Sequence, residues 1–83
     1  MSTQEPQNNQ NIEEVVRASL EGYFQDLGGE TPNDMYGMLL RLVEKPLLEV
    51  VMQQAENNQS RAAQWLGLNR NTLRKKLHDH DML

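Results

Sequence analysis

The sequence predicts an all-α protein of four helices, with a helix-turn-helix formed by the last two. Apolar residues recur at spacings of three and four along two long segments, which indicates amphipathic helices. Near the C-terminus, a glycine break at Gly67 separates two short segments, the first rich in small residues and the second in basic ones. Two short helices joined by a tight glycine-containing turn are typical of a helix-turn-helix. No stretch shows the alternation expected of a strand.

The length and composition of the chain narrow its class. Eighty-three residues make one small domain, and a core of this size is often stabilised by association with a second copy. The lack of cysteine rules out disulfides and thiolate catalysis. Residues 1–11 do not have the pattern of a signal peptide, and no stretch approaches about 18 consecutive apolar residues, so we expect no membrane span. The expected compartment is the cytoplasm.

Charge is distributed unevenly along the chain. The net charge of −4 by itself disfavours a nucleic-acid partner. Residues 1–56, however, carry three basic and ten acidic residues, or −7, whereas residues 57–83 carry five basic and two acidic residues, or +3. Such an asymmetry points to a scaffold end and a binding end. The acidic part should face away from a phosphate backbone.

In the N-terminal part of the chain, the sequence predicts a tail followed by one helix. Residues 1–10 are polar and rich in Gln and Asn, so we expect a disordered tail. The first helix should begin at Asn11, a good N-cap with Glu14 in the capping-box position. Its apolar residues recur on one face. Gly28-Gly29 should end it, because glycine tolerates the left-handed conformation.

A second helix is expected from a cap at Thr31 or Asn33 to about Ala55. Pro46 should kink this helix rather than divide it, since the apolar pattern resumes at once. Apolar residues cover more than one face, and so small a monomer has too little protein to bury them all. We therefore expect residues 11–56 to form the core of a homodimer. The expected dimer-interface residues are Leu39, Leu40, Val43, Leu47, Val50 and Val51.

Residues 57–83 should form the helix-turn-helix region. Asn58 or Ser60 is expected to cap a short third helix over residues 59–66, since both side chains accept hydrogen bonds from a first helical turn. Gly67 then provides the turn into the fourth helix.

The fourth helix, over about residues 70–78, should divide into two faces. Leu73 and Leu77 are four residues apart and share the inward face. The other face is polar and cationic, as a recognition helix in the DNA major groove requires. Base contacts are expected from Asn69 and Arg70 at its N-terminal end, where arginine can donate to O6 and N7 of guanine. The residues expected to contact phosphates are Asn58, Ser60, Arg61, Thr72, Arg74, Lys75 and Lys76.

Several features have a second interpretation. A basic helix is often only a solvated face, so the alternative to DNA binding is a helical adaptor that binds proteins through its acidic part. Trp65 is expected in the core rather than near a partner subunit. His78 to Asp81 is interpreted as a frayed polar C-terminus rather than a metal site, because two histidines separated by one residue point to different sides of a helix. We expect no metal, no cofactor and, since no catalytic set is evident, no enzymatic activity.

Three stretches carry a family resemblance: residues 43–53 (VEKPLLEVVMQ), 58–63 (NQSRAA) and 67–77 (GLNRNTLRKKL), together with Tyr36. In these stretches the chain resembles the Fis family (factor for inversion stimulation), small nucleoid-associated DNA-bending proteins of bacteria. The resemblance implies an intertwined homodimer of four-helix chains with a helix-turn-helix at each end. It also implies recognition helices so close together that binding bends the duplex, and it supports the base-contacting and phosphate-contacting assignments given above.

The chain also departs from the family pattern. Its ten-residue tail is too short and polar for the β-hairpin arm with which enteric members contact DNA invertases, so no invertase contact is expected. Glu56 and Asn57 stand where the family's turn can carry a basic residue that touches RNA polymerase, so that contact is not expected either. Residues 78–81 are less basic than usual, which suggests less bending. The closest alternative is the DNA-binding C-terminal domain of an NtrC-type activator, which the short N-terminus disfavours.

Overall fold

The computed structural model describes residues 8–83, with side-chain environments from residue 11. It contains four helices in the predicted order and, within that range, no strand, so the all-α fold class is confirmed. The helices are α1 (Asn8–Leu27), α2 (Met35–Gln54), α3 (Gln59–Leu66) and α4 (Arg70–Asp79). The chain divides into two compact units, one containing α1 and ending at Asn33, the other Asp34–Leu83 with α2, α3 and α4.

Helix α1 begins at Asn8, three residues before the expected cap at Asn11. Part of the expected tail is therefore helical, and the rest of it, residues 1–7, lies outside the described residues. The predicted end is confirmed: Gly28 and Gly29 follow the helix with φ angles of +60° and +95°, which side chains larger than glycine rarely adopt.

Helix α2 begins after Asp34, so the expected cap at Thr31 or Asn33 is wrong. Asp34 has a left-handed backbone (φ +54°) and makes no side-chain cap bond. Its carboxylate instead lies 3.6 Å from the guanidinium of Arg41, about two turns further along the chain. The helix continues through Pro46 as one element, as expected of a proline that does not divide it.

The core of the second unit joins three helices. Its buried residues are Leu48, Met52, Ala55, Ala62, Ala63, Leu73 and Leu77. The small alanines let α3 approach α2 closely, because no long side chain separates the two backbones. Val51, one of the expected dimer-interface residues, is partly buried and packs against this core. The C-terminal half of α2 thus shares one core with α3 and α4.

Two short turns fix the angles between these helices. Between α2 and α3, Glu56 and Asn57 both have left-handed backbones (φ +55° and +63°), and the Asn57 N–H donates to the Met52 carbonyl at 2.9 Å. Between α3 and α4, Gly67 has φ +74° and the Leu68 N–H donates to the Ala63 carbonyl at 2.9 Å. Such bonds satisfy the last carbonyls of a helix.

Two expectations are wrong, one about the position of Trp65 and one about the C-terminus. Trp65 is not in the core, because 55% of it is exposed on α3. The C-terminus is not frayed: Asp81 takes a left-handed backbone (φ +58°), and the Met82 N–H donates to the Leu77 carbonyl at 2.8 Å. The Met82 side chain packs against the core, which holds this end of the chain in place.

Within residues 8–83, no helix combines the length and the apolar character that crossing a lipid bilayer demands. Over the same range, no three histidine or acidic side chains are grouped so that they could hold a metal ion.

Candidate nucleic-acid interface

Helix α4 presents one apolar and one polar face. Leu73 and Leu77 are buried almost completely, at 0% and 1% exposure. Since successive residues are rotated by about 100°, this places Asn71 and Lys75 on the opposite, outward side, where both are exposed. The division that a recognition helix requires is therefore present, and its cause is the spacing of the two leucines.

Both helices of the motif begin with an asparagine cap. The Asn58 Oδ1 accepts a hydrogen bond from the Arg61 N–H at 3.0 Å, and the Asn69 Oδ1 accepts one from the Asn71 N–H at 2.7 Å. Capping uses only the carbonyl oxygen of each side chain, so the amide nitrogen of each keeps two hydrogens to donate. Both residues are exposed. Each can thus cap its helix and donate to a ligand at once.

The two helix N-termini are electrically suited to anions. Neither α3 nor α4 has an acidic residue in its first turn, although Asp and Glu are favoured there in most helices. The unpaired N–H groups and the helix dipole therefore keep their positive end uncompensated, which favours a phosphate. Ser60 and Thr72 are exposed near these ends and add hydroxyl donors.

The basic side chains of the motif differ in what they already contact. Within residues 34–83, Arg70 and Lys75 are exposed and take part in no ion pair. Arg74 donates from Nη1 to the Gln59 side-chain oxygen at 3.1 Å, which ties α4 to the start of α3. Arg61 lies 3.9 Å from the Glu56 carboxylate, and both side chains are exposed to solvent, so this pair is weak.

Lys76 stands apart from the other predicted phosphate contacts. Its ammonium lies 2.8 Å from a carboxylate oxygen of Glu44 on α2, and both side chains are about two-thirds buried. The other Glu44 oxygen lies 2.9 Å from Nε2 of His80, the residue that caps the end of α4. Lys76, and then His80, hold the pKa of the Glu44 carboxyl below its usual range, against a smaller opposing effect of burial. This ion pair competes with the expected phosphate contact of Lys76.

Sequence reasoning did not identify Gln59, Glu44 or His80 as parts of this region. A signal for Glu44 was present, because it precedes the buried Leu48 by four residues and so shares its face of α2. No local pattern could have paired it with His80, which lies 36 residues away.

Comparison with known proteins gives a consistent result. Residues 39–80 match the profile of bacterial regulatory proteins of the Fis family. A Fis-like DNA-binding protein of Ralstonia nicotianae is 57% identical over 72 residues, which cover 87% of this chain and 94% of that relative. One from Neisseria meningitidis is 56% identical over the same share of this chain and 91% of its own length. The DNA-binding protein Fis of Proteus mirabilis is 48% identical over 86% of this chain and 72% of its own. The chain belongs to the Fis family of bacterial regulatory proteins.

Proposed function

We propose that this protein binds double-stranded DNA as a homodimer, bends it, and acts as a nucleoid-associated regulator of transcription. The observation that carries the proposal is the division of α4 into a buried face of Leu73 and Leu77 and an outward face with Asn71 and Lys75. Family membership supports it, because the relatives from Ralstonia and Neisseria are named as DNA-binding.

A second subunit is supported by an exposed apolar stripe along α2. We define the α2 stripe as Tyr36, Leu40, Val43, Leu47 and Val50. Their spacing alternates between four and three residues, the a and d pattern of a heptad repeat. All five are exposed, by 44% to 80%, on the side of α2 that faces away from the buried core. We propose that this stripe, with the half-buried Leu39 beside it, packs against its counterpart in a partner.

A dimer would present two recognition helices to one duplex. Successive major grooves on one face of straight DNA are about 34–36 Å apart. If the two helices are held closer than this, as the family resemblance implies, the DNA has to bend to admit both. The energy of bending depends on the sequence between the contacts. Binding of this kind tolerates many sequences, because deformability replaces contact with every base.

We assign the contacts to two groups. Asn69 and Arg70, at the start of α4, are the proposed base-contacting residues. A bidentate arginine–guanine contact discriminates against other bases by about 1–3 kcal/mol. The proposed phosphate-contacting residues are Asn58, Ser60, Arg61, Thr72, Arg74 and Lys75. Lys76 is left out because its ammonium already pairs with Glu44. The phosphate contacts would position the protein without reading sequence.

The proposed role is regulatory and involves no catalysis, metal or cofactor. The description of the family as bacterial regulatory proteins supports it, and a DNA ligand implies a place on the nucleoid in the cytoplasm. Contacts with RNA polymerase or with a DNA invertase form no part of the proposal.

The test is a titration of a fluorescent duplex of about 25 base pairs at several salt concentrations. The logarithm of the binding constant should fall linearly with that of the salt concentration, by about 0.9 for each phosphate neutralised. Circular-permutation gel shifts on the same site should reveal bending. A helical adaptor, the alternative from another class, would bind the duplex weakly at every salt concentration.

A further inference from the structure

One carboxylate on α2 contacts two residues that lie about one turn apart at the C-terminal end of α4. Glu44 receives the ammonium of Lys76 on one oxygen, at 2.8 Å, and contacts the ring of His80 through the other, at 2.9 Å. Lys76 and His80 are four residues apart and so lie one above the other on the same side of α4. The His80 side chain is only 11% exposed. The contact is therefore a two-point attachment rather than a single surface pair.

The other ion pairs in this unit are of a different kind. Asp34 and Arg41 are 3.6 Å apart, Glu56 and Arg61 are 3.9 Å apart, and the four side chains are 47% to 86% exposed. Both pairs also join residues close in sequence, so neither connects two helices. The Glu44 contacts are shorter and better shielded, and shielding reduces the screening of a charge pair by water and salt.

The location of Glu44 gives this attachment its importance. Leu73 and Leu77 hold α4 against the core, but apolar contacts are not directional. A rotation of α4 about its own axis would turn Asn71 and Lys75 away from the DNA, since each residue occupies only about 100° of the helix circumference. Hydrogen bonds from Lys76 and His80 to a fixed carboxylate are directional, and they approach α4 from the flank of its leucine face.

We propose that Glu44 is a positioning residue for DNA binding, which fixes the rotation of the recognition helix through Lys76 and His80. This inference rests on the proposed function, because it assigns a role within the same interface. Lys76 acts in it as the partner of Glu44 and not as a phosphate contact.

Because Glu44 is negatively charged, the direction in which its removal changes DNA affinity distinguishes a positioning residue from an ordinary surface charge. Removing a negative charge from a DNA-binding protein ordinarily tightens binding, because repulsion of the phosphates falls. Removing a positioning residue weakens binding. The substitution Glu44→Gln keeps the size of the side chain and eliminates the charge. Glu49→Gln is the matched control, since Glu49 is exposed on the same helix and loses the same charge.

The first measurement is the affinity of full-length wild type, E44Q and E49Q for the same duplex at one salt concentration. We expect E44Q to bind about threefold to tenfold more weakly than wild type, the fold-change that corresponds to the net free energy of one ordinary hydrogen bond. E49Q should bind as tightly as wild type or slightly more tightly. Glu44→Asp, which keeps the charge but is shorter by one methylene, should also weaken binding. Circular dichroism of each variant reports whether the helices are retained.

The second measurement is thermal stability as a function of pH. Within residues 34–83, the titratable groups at ion-pair distance from Glu44 are Lys76 and His80, and α3 contributes none. Because the folded-state pKa of Glu44 is lowered, the stabilisation is fully present above the usual value of 4.5 and is lost as the pH falls through the folded value. The difference in Tm between wild type and E44Q should therefore shrink below pH 4.5.

A third variant separates the two possible roles of Lys76. Lys76→Gln should weaken binding without changing the salt slope, whereas loss of a phosphate contact would lower that slope by about 0.9 for each of the two lysines in the proposed dimer. In the E44Q background, K76Q should cause little further loss, since the two act as a unit. Equal or tighter binding by E44Q with its helices intact would overturn the proposal, and so would a reduced salt slope for K76Q. Failure of the wild type to bind the duplex contradicts the proposed function itself, and this is seen before any variant is compared.

Discussion

Asn69 has two functional groups: its oxygen caps a helix, and its amide nitrogen is the proposed donor to a DNA base. Its oxygen caps α4 by accepting the Asn71 N–H at 2.7 Å, while its amide nitrogen remains able to donate to a base edge. Asn58 repeats this arrangement at the start of α3, with Oδ1 on the Arg61 N–H. Aspartate is as good a cap as asparagine but has no donor. The two tasks of Asn69 can therefore be separated by one substitution.

We predict that Asn69→Asp retains the stability of the fold and weakens DNA binding by about tenfold or more, since a donor to the DNA becomes a negative charge. Chemical denaturation should give an unfolding midpoint close to that of wild type, and duplex titration should show the loss. The control is Asn57→Asp, which adds the same charge to the turn between α2 and α3 and should weaken binding less. Equal losses for the two variants would mean that charge alone, and not the amide donor, explains the effect.

Lys75 lies opposite the leucine face of α4 and is exposed. We predict that Lys75→Ala weakens binding to preferred and unrelated duplexes alike and lowers the salt slope by about 0.9 per lysine that leaves a phosphate. Lys45→Ala is the matched control, because Lys45 is exposed on α2 within the acidic part of the chain. A slope that Lys75→Ala leaves unchanged would remove Lys75 from the proposed phosphate contacts.

At the level of the elements, the angle between α3 and α4 depends on one glycine. Gly67 has φ +74°, and a Cβ placed on it would meet no atom within 4 Å. Its requirement is therefore one of backbone conformation and not of space. For a residue with a Cβ, a left-handed backbone costs about 1–2 kcal/mol, and asparagine is the side chain that tolerates it best.

We predict that Gly67→Ala lowers the free energy of unfolding by about 1–2 kcal/mol and that Gly67→Asn lowers it by distinctly less. Urea denaturation of both variants, compared with wild type, measures the difference. Because a Cβ at this position meets no neighbour, the affinity of the folded fraction for DNA should remain close to that of wild type. Equal destabilisation by alanine and asparagine would show that the backbone angle is not the cause.

At this scale, the sequence could predict only features that depend on residues close together in the chain. The glycine turn at Gly67, the α3 bounds and the pairing of Leu73 with Leu77 follow from short-range spacing, and the structure confirms them. The pairing of Glu44 with His80 depends on how α2 and α4 cross, which no local pattern specifies. Trp65 was misplaced because its size suggested a core position, whereas the α3 core face is filled by two alanines.

At the scale of the whole molecule, α2 has two apolar faces, one buried within the chain and the other exposed. One face contributes Leu48, Met52 and Ala55 to the buried core, and Val51 packs beside them. The other is the α2 stripe, which the monomer leaves exposed. A heptad pattern over five positions is typical of a helix that packs on another helix. The same helix would then join the dimer to each helix-turn-helix and hold the two recognition helices at a fixed distance.

We predict that Leu47→Glu, a charge in the middle of the α2 stripe, converts the dimer to monomers and lowers DNA affinity far more than a surface change would. Each monomer offers one recognition helix, so the increase in affinity that comes from binding two recognition helices at once is lost. This increase is often a factor of about 10²–10⁴. Leu42→Glu is the control, because Leu42 is also exposed but lies on another side of α2, and it should leave both properties unchanged. Sedimentation equilibrium and duplex titration measure the two effects. A wild-type chain that sediments as a folded monomer would contradict the proposed interface. So would a Leu47→Glu variant that remains dimeric, because a dimer built on the α2 stripe would have to bury an unpaired carboxylate, at a prohibitive cost in free energy.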